Sequence, residues 1–252
     1  KLPFQLTSAQ SRVIEQIKYD IQQPIAMNRL VQGDVGSGKT IVGAIAAAHA
    51  ASHNIQCALM APTEILAEQH ALTLSQVLEP LGISVQLLTS KQPSATKKQT
   101  LNAIACGEVQ VVVGTHALIQ QQVEFHNLGL AIIDEQHRFG VDQRKMLLDK
   151  RNDTLSVHQL VMTATPIPRT LAMTFLADLD YSVIDELPPG RKPITTIALS
   201  NERRNDVIER VRLACEGGRQ VYWVCTLVDE SEALAAEAAE STAAMLAKLL
   251  PH

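Results

Sequence analysis

"GDVGSGKT", residues 33–40, stands between the apolar run "RLVQ" and the small-residue stretch "IVGAIAAAHAA". Strand, glycine-rich turn and helix in that order match G-x-x-x-x-G-K-[ST] in the context that identifies a P-loop. Gly33, Gly36 and Gly38 let backbone N–H groups turn inward around phosphates, with Ser37 inside the same turn. The helix start adds its positive end, Lys39 reaches the outer phosphate oxygens, and Thr40 can ligate Mg²⁺. An ordinary strand-to-helix turn has no use for Lys and Thr at these places. The expected ligand is therefore ATP with Mg²⁺, held by Gly33, Gly36, Ser37, Gly38, Lys39 and Thr40.

Working outward, short β-branched runs alternate with longer stretches of helical period. The runs are "RLVQ", "QCALMA", "VQLLT", "VQVVVG", "LAIID" and "HQLVMTAT". Such alternation predicts an α/β fold, a mostly parallel sheet with helices on both faces. "LTSAQ" supplies Thr7 as N-cap and Gln10 three residues on, so a helix is expected from Leu6 to about Gln22. Pro188, Pro189, Gly190 and Pro193 interrupt the pattern, which places the end of a first domain at 1–188. In 189–252, "ITTIALS" and "RQVYWVCTLV" read as strands, and Glu202–Cys215 and "EALAAEAAESTAAMLAKLL" as helices. That stretch is too short for a typical domain and is expected to be a linker and the start of a second, truncated domain. The chain opens on Lys1 and stops at "KLLPH", so both ends look cut from something longer.

The run "LAIID" ends in adjacent acids, Asp134 and Glu135. Behind a P-loop, such a pair can divide the work: Asp134 holds Mg²⁺, and Glu135 orients and deprotonates a water. Alone, the pair would read as a solvated strand end. His137 follows two residues later, where an imidazole could pass a hydrogen bond from the phosphate site to a neighbouring loop. In "MTATP", Thr163 and Thr165 would share one side of a strand that Pro166 stops; threonine is also simply a good strand former. Gln10 has a complete capping job, although its amide could read an adenine edge. His49, His53 and Cys57 recur every four residues but lack the Glu of H-E-x-x-H, and Cys57 falls in a strand, so they are not read as a metal site.

The formal net charge of −4 and 3% aromatic content give no global basic field, so any nucleic acid must be held by local loops. Cys57, Cys106, Cys215 and Cys225 lie far apart with no CxxC pair, which fits reduced thiols rather than a disulfide framework. No apolar stretch is long enough to span a bilayer and no leader opens the chain. The expected setting is cytoplasmic, without a membrane partner.

"LTSAQ", "GDVGSGKT", "APTEILAEQH", "VVVGTHALI", "IIDEQHRFGVDQR" and "MTATPIPRTLAMTFLADLDYSVIDELPPGRKPIT" occur in the order of superfamily 2 helicase motifs. They closely resemble the bacterial RecG family of ATP-dependent branched-DNA helicases over nearly the whole chain, which implies a RecA-like first domain in 1–188 and the start of a second RecA-like domain in 189–252. The resemblance implies that Gln10 contacts adenine, with Phe4 near the base. Lys39 and Thr40 would bind phosphate and Mg²⁺, and Asp134 and Glu135 would be the metal and catalytic carboxylates. His137, Thr163 and Thr165 would couple ATP to DNA. Pro62, Thr63 and Glu64, and Gly114, Thr115 and His116, fall in motifs that contact the DNA backbone, although capping would explain Thr63 and Thr115 equally well.

The implied function is a monomeric motor that couples ATP hydrolysis to remodelling of forks and junctions in repair and recombination. The wedge domain of that family and its late arginine motif are not found in this sequence. The stretch by itself is therefore expected to turn over ATP poorly, since the arginine contributes about 10³ or more in rate. Another superfamily 2 translocase, of Mfd or PriA type, would share much of this pattern. A P-loop ATPase without nucleic acid would have no use for the threonine pair or Asp-Glu-x-His.

Overall fold

The computed structural model describes residues 4–151, 156–165, 179–187, 194–225 and 232–250. The chain divides into two compact units, Lys1–Arg191 and Lys192–His252. The first unit opens with helix α1, Ser8–Ile21. Then come strand β1, Asn28–Gly33, helix α2, Lys39–Ala51, β2, Gln56–Met60, and α3, Glu64–Leu78. After β3, Val85–Leu88, and α4, Ser94–Ala105, the chain enters β4, Val111–Gly114, and β5, Leu128–Asp134. Helix α5, Val141–Leu148, precedes β6, His158–Thr163, and β7, Asp180–Ile184.

All seven strands join one sheet in the order β3-β4-β2-β5-β6-β1-β7, and every pairing is parallel. Successive strand residues point to opposite faces. Leu59 and Ile132 accordingly enter a core shared with Val13 and Ile17 of α1, Val42 and Ala47 of α2, and Leu74 and Leu78 of α3. Their neighbours Ala58, Met60, Ala131 and Ile133 enter a second core with Ile104 of α4 and Leu147 of α5. Two covered faces explain why β2 and β5 are buried at every residue and read as unbroken apolar runs. The mostly parallel α/β sheet expected from the alternation is present, in the RecA-like form that the resemblance implies.

Local signals decide where elements begin. Thr7 caps α1 by accepting from the Gln10 N–H, and the Gln10 side chain returns a bond to the Thr7 N–H. In α2, small residues let the helix lie close to the sheet. A Cβ on Gly43 would sit 3.3 Å from Met162 Sδ.

Three expectations need correction. Strand β6 stops at Thr163 rather than Thr165. Strand β7, which lies beside β1, had no expected counterpart. It is an edge strand with only two fully buried residues, so it carries no long apolar run. Finally, neither 194–200 nor the described part of 219–228 is strand. Ile194, Ile197, Tyr222 and Val224 are exposed, and among the described residues of this unit no strand offers a partner. β-Propensity reflects fit to a packed sheet, and without neighbours it produces only extended chain. The second unit's helices, α6 at Arg204–Glu216 and α7 at Glu232–Leu249, lie where helical period predicted them.

The linker residues 188–193 and the motif residues 166–178, including Pro166, lie outside the described residues. No described helix is long and apolar enough to cross a membrane.

Candidate active site

Parallel strands bring all their C-terminal ends to one edge of the sheet, where ligands of open α/β folds bind. Along that edge β5, β6 and β1 are neighbours, with Asp134 opposite Met162 and Thr163 opposite Gln32. The glycine-rich turn after β1 and the acids after β5 thus flank the end of β6.

The turn takes its shape from two left-handed residues, Gly36 at φ 77° and Gly38 at φ 88°, a conformation glycine adopts without steric cost. The Ser37 N–H closes it onto the Asp34 carbonyl at 3.0 Å. Ser37 is fully buried, and its Oγ has no hydrogen-bond partner. Lys39 Nζ donates to the carbonyls of Gly33, at 2.7 Å, and Asp34, at 3.1 Å. Burial lowers the Lys39 amine below its ordinary range, against the opposing pull of Asp134, Glu135 and Asp34. The P-loop lysine and both acids after Ile133 therefore stand in one electrostatic site. Thr40 sits half-buried in the first turn of α2.

The acids are held from different directions. Asp134 is 9% exposed, and its Oδ2 lies 2.8 Å from His70 Nε2 of α3. Glu135 is left-handed at φ 53°, a strained conformation for a residue with a Cβ. Its N–H donates to the Met162 carbonyl at 2.9 Å. Thr163 Oγ1 donates to Glu135 Oε2 at 3.2 Å and the Ala164 N–H to Oε1 at 3.1 Å, which fixes the carboxylate plane. Thr163 Oγ1 also accepts from the Thr165 N–H at 3.1 Å. Thr163 thus meets the acid through its hydroxyl, whereas Thr165, one residue past Ala164 and outside the strand, enters through its backbone. His137 falls in the single turn Gln136–Arg138, and its side chain is outside what the structure describes.

Gln10 joins the site by a route that capping alone does not predict. Its Oε1 accepts from the Thr7 N–H, and its Nε2 donates to the Ser37 carbonyl at 2.8 Å. One buried amide both starts α1 and pins the phosphate turn; a Cβ on Gly38 would overlap it. Phe4 is 47% exposed and lines a cavity with Ile41 and Ile45 of α2 and Leu78 of α3.

The residues after β2 and β4 are arranged otherwise. Pro62 is half-buried and Thr63 exposed. Thr63 caps α3 by accepting from the Leu66 N–H at 3.3 Å, and Glu64 pairs with Lys91 at 2.7 Å. Gly114 ends β4 beneath Leu88 and Leu118, where a Cβ would collide with both. Thr115 is 2% exposed and makes no side-chain cap, and its Oγ1 has no partner. The capping reading therefore holds for Thr63 and fails for Thr115. His116 Nε2 lies 3.4 Å from Ser90 Oγ. His49 and His53 stack edge-on at 4.9 Å while Cys57 is buried in β2. The residue missed by sequence reasoning is His70. Its one signal was a histidine at the end of the apolar "APTEILAEQH", seven residues past the cap.

Residues 7–174 match the DEAD/DEAH box helicase family. Over its full length the chain is 59% identical to the ATP-dependent DNA helicase RecG of Pasteurella multocida and 58% identical to that of Escherichia coli K12. It spans 37% and 36% of those proteins, about a third of their length. A solved structure of RecG bound to a three-way DNA junction superposes with a TM-score of 0.82 at 40% identity, covering 98% of this chain and 32% of that one. With the P-loop, the acid pair and the threonine-bearing β6 end on one sheet edge, and a family match over residues 7–174, the chain belongs to the DEAD/DEAH box helicases.

Proposed function

We propose that this chain is the nucleotide-binding motor part of an ATP-dependent DNA helicase that remodels branched DNA, such as stalled forks and Holliday junctions. In this reading residues 1–188 form the first RecA-like motor domain, and 189–252 are a linker and the beginning of the next. The observation that carries the proposal is the position of Lys39, its ammonium half-buried between two loop carbonyls and in the field of both Asp134 and Glu135.

The residues present fit a magnesium-bound triphosphate. A buried Ser37 hydroxyl without a partner, two left-handed glycines and a half-desolvated ammonium are features that an anion would satisfy. When bound, Mg²⁺ would supply positive charge to offset the negative charge that develops on the outer phosphates. Lys39 would exchange its two carbonyl partners for phosphate oxygens, and Thr40 and Asp134 would hold the metal. Glu135, its plane set by Thr163 and Ala164, would orient the attacking water and take its proton on a carboxylate oxygen. Through the same bonds the β6 end senses the state of Glu135, so Thr163 and, through its backbone, Thr165 serve as the coupling segment. Gln10, spanning α1 and the Ser37 carbonyl, would hold the turn at the base end of the nucleotide. The loops Pro62–Glu64 and Gly114–His116 would grip DNA phosphates through hydroxyls and amides, which needs no basic surface.

The relatives' names support ATP and DNA as the substrates, and the junction in the superposed RecG structure supports branched DNA. The test compares Lys39→Ala with Glu135→Gln, titrating a fluorescent ATP analogue and a labelled three-way junction. Lys39→Ala should weaken nucleotide binding on the order of 100-fold, and Glu135→Gln should keep nucleotide and hold the junction without turnover. Nucleotide binding unchanged in Lys39→Ala would refute the ATP site. Junction binding indifferent to nucleotide in the wild type and in both variants would refute the motor.

A further inference from the structure

Helix α3 reaches the candidate site at His70, the last residue of the "APTEILAEQH" motif, to which the resemblance assigned no role. It begins at Thr63, and seven residues later, two turns along, His70 lies against the strand end with its Nε2 2.8 Å from Asp134 Oδ2. Both partners are largely shielded, at 9% exposure each. A carboxylate taken out of water needs a donor to remain a well-placed ligand, and no other side-chain hydrogen bond to Asp134 is present among the described residues. Glu135 next to it is fixed by Thr163 and Ala164. The two acids thus have separate anchors, one on β6 and one on α3.

We propose that His70 is a positioning residue for divalent metal. It donates from Nε2 to Asp134 Oδ2 and fixes the rotamer of that carboxylate, whose other oxygen would hold the ion together with Thr40. This rests on the nucleotide reading above and adds to it the source of Asp134's geometry. Such outer partners of a metal-binding carboxylate set its orientation and basicity, and losing one costs roughly 10- to 100-fold in metal affinity. The link also ties Asp134 at the end of β5 to the helix whose first residues follow the Pro62–Thr63 loop. The remaining lining of α3, Ala67, Leu74 and Leu78, is apolar core; His70 is its one buried polar side chain.

The experiment titrates the full chain with a fluorescent ATP analogue in EDTA and across a Mg²⁺ series, for wild type, His70→Phe and His70→Gln. Phe keeps the ring and deletes the donor, whereas Gln carries an N–H of comparable reach. His70→Phe should raise the half-saturating Mg²⁺ about tenfold or more while leaving affinity in EDTA within twofold, and His70→Gln should recover most of the loss. A purely packing role would instead lower affinity in EDTA and Mg²⁺ alike, and that result overturns the proposal. So does a His70→Phe half-saturation equal to wild type, or a His70→Gln as impaired as His70→Phe. If wild-type binding itself ignores Mg²⁺, the nucleotide reading fails first and this inference falls with it.

Discussion

One edge of the sheet holds two halves built on different plans. At the ends of β1, β5 and β6, side chains are tied down, to backbone groups or to one another. Gln10 is bound to Ser37, Lys39 to two carbonyls, His70 to Asp134, and Glu135 to both Thr163 and Ala164. At the ends of β2 and β4 the ties are few. Thr63 spends its hydroxyl on a cap, Glu64 reaches an exposed lysine, and Thr115 keeps a buried hydroxyl without a partner. Groups that must meet a developing charge have to be held in place beforehand. Groups that grip a polymer from outside can leave donors uncommitted until it arrives, at a cost of about 1–3 kcal/mol for each buried one.

The most severe way to break this contrast is to loosen the tied half. Thr163→Val removes the hydroxyl from Glu135 Oε2 and from the Thr165 N–H together. Turnover should fall on the order of 100-fold, because a small misplacement of a catalytic group is costly. Nucleotide affinity should stay within about twofold, since the phosphate turn is untouched. Single-turnover kinetics beside an equilibrium titration separate the two, and a loss confined to affinity would erase the distinction between positioning and binding.

Gly114→Ala probes the other half through packing. The new Cβ meets the Leu88 carbonyl and the Leu118 side chain, so stability in urea should drop by about 1–3 kcal/mol. Thr63→Ala should cost about 1 kcal/mol by uncapping α3, while Thr63→Ser should cost little. Thr115→Val should do the opposite. By deleting an unpartnered buried hydroxyl it should stabilise the protein by about 1 kcal/mol while weakening junction binding. Chemical denaturation and a junction titration on the same variant measure both effects. If Thr115→Val is destabilising, the hydroxyl has a partner in solution and the two halves differ less than their hydrogen bonds indicate.

The contrast also marks what could be read without coordinates. The phosphate turn was legible because its conformation is set within eight consecutive residues, by glycines and one lysine. The covered strands were legible because burial on both faces leaves an unbroken apolar run, as in β2 and β5. Strand β7 was not, because an edge position demands so little burial that "DYSVI" does not stand out beside a proline-rich stretch. The reverse error occurred at 194–200, where β-branched residues suggested a strand and no neighbour exists among the described residues to make one. Thr63 and Thr115 looked alike in sequence, each a threonine after an apolar run. Only the path of the chain afterwards made one an exposed cap and buried the other.

By itself the sequence determined the α/β class, the glycine-rich turn and the adjacent pair of acids, since each is written in neighbouring residues and their periodicity. The tertiary structure decided which groups hold those acids. His70 lies 64 residues from Asp134, and Thr163 lies 28 from Glu135. Contacts across such spans depend on the order in which parallel strands assemble, which places the ends of β5, β6 and β1 side by side and brings His70 of α3 to Asp134. Local propensity carries no information about that order, because a hydrogen bond between distant side chains exists only after the sheet has chosen its neighbours.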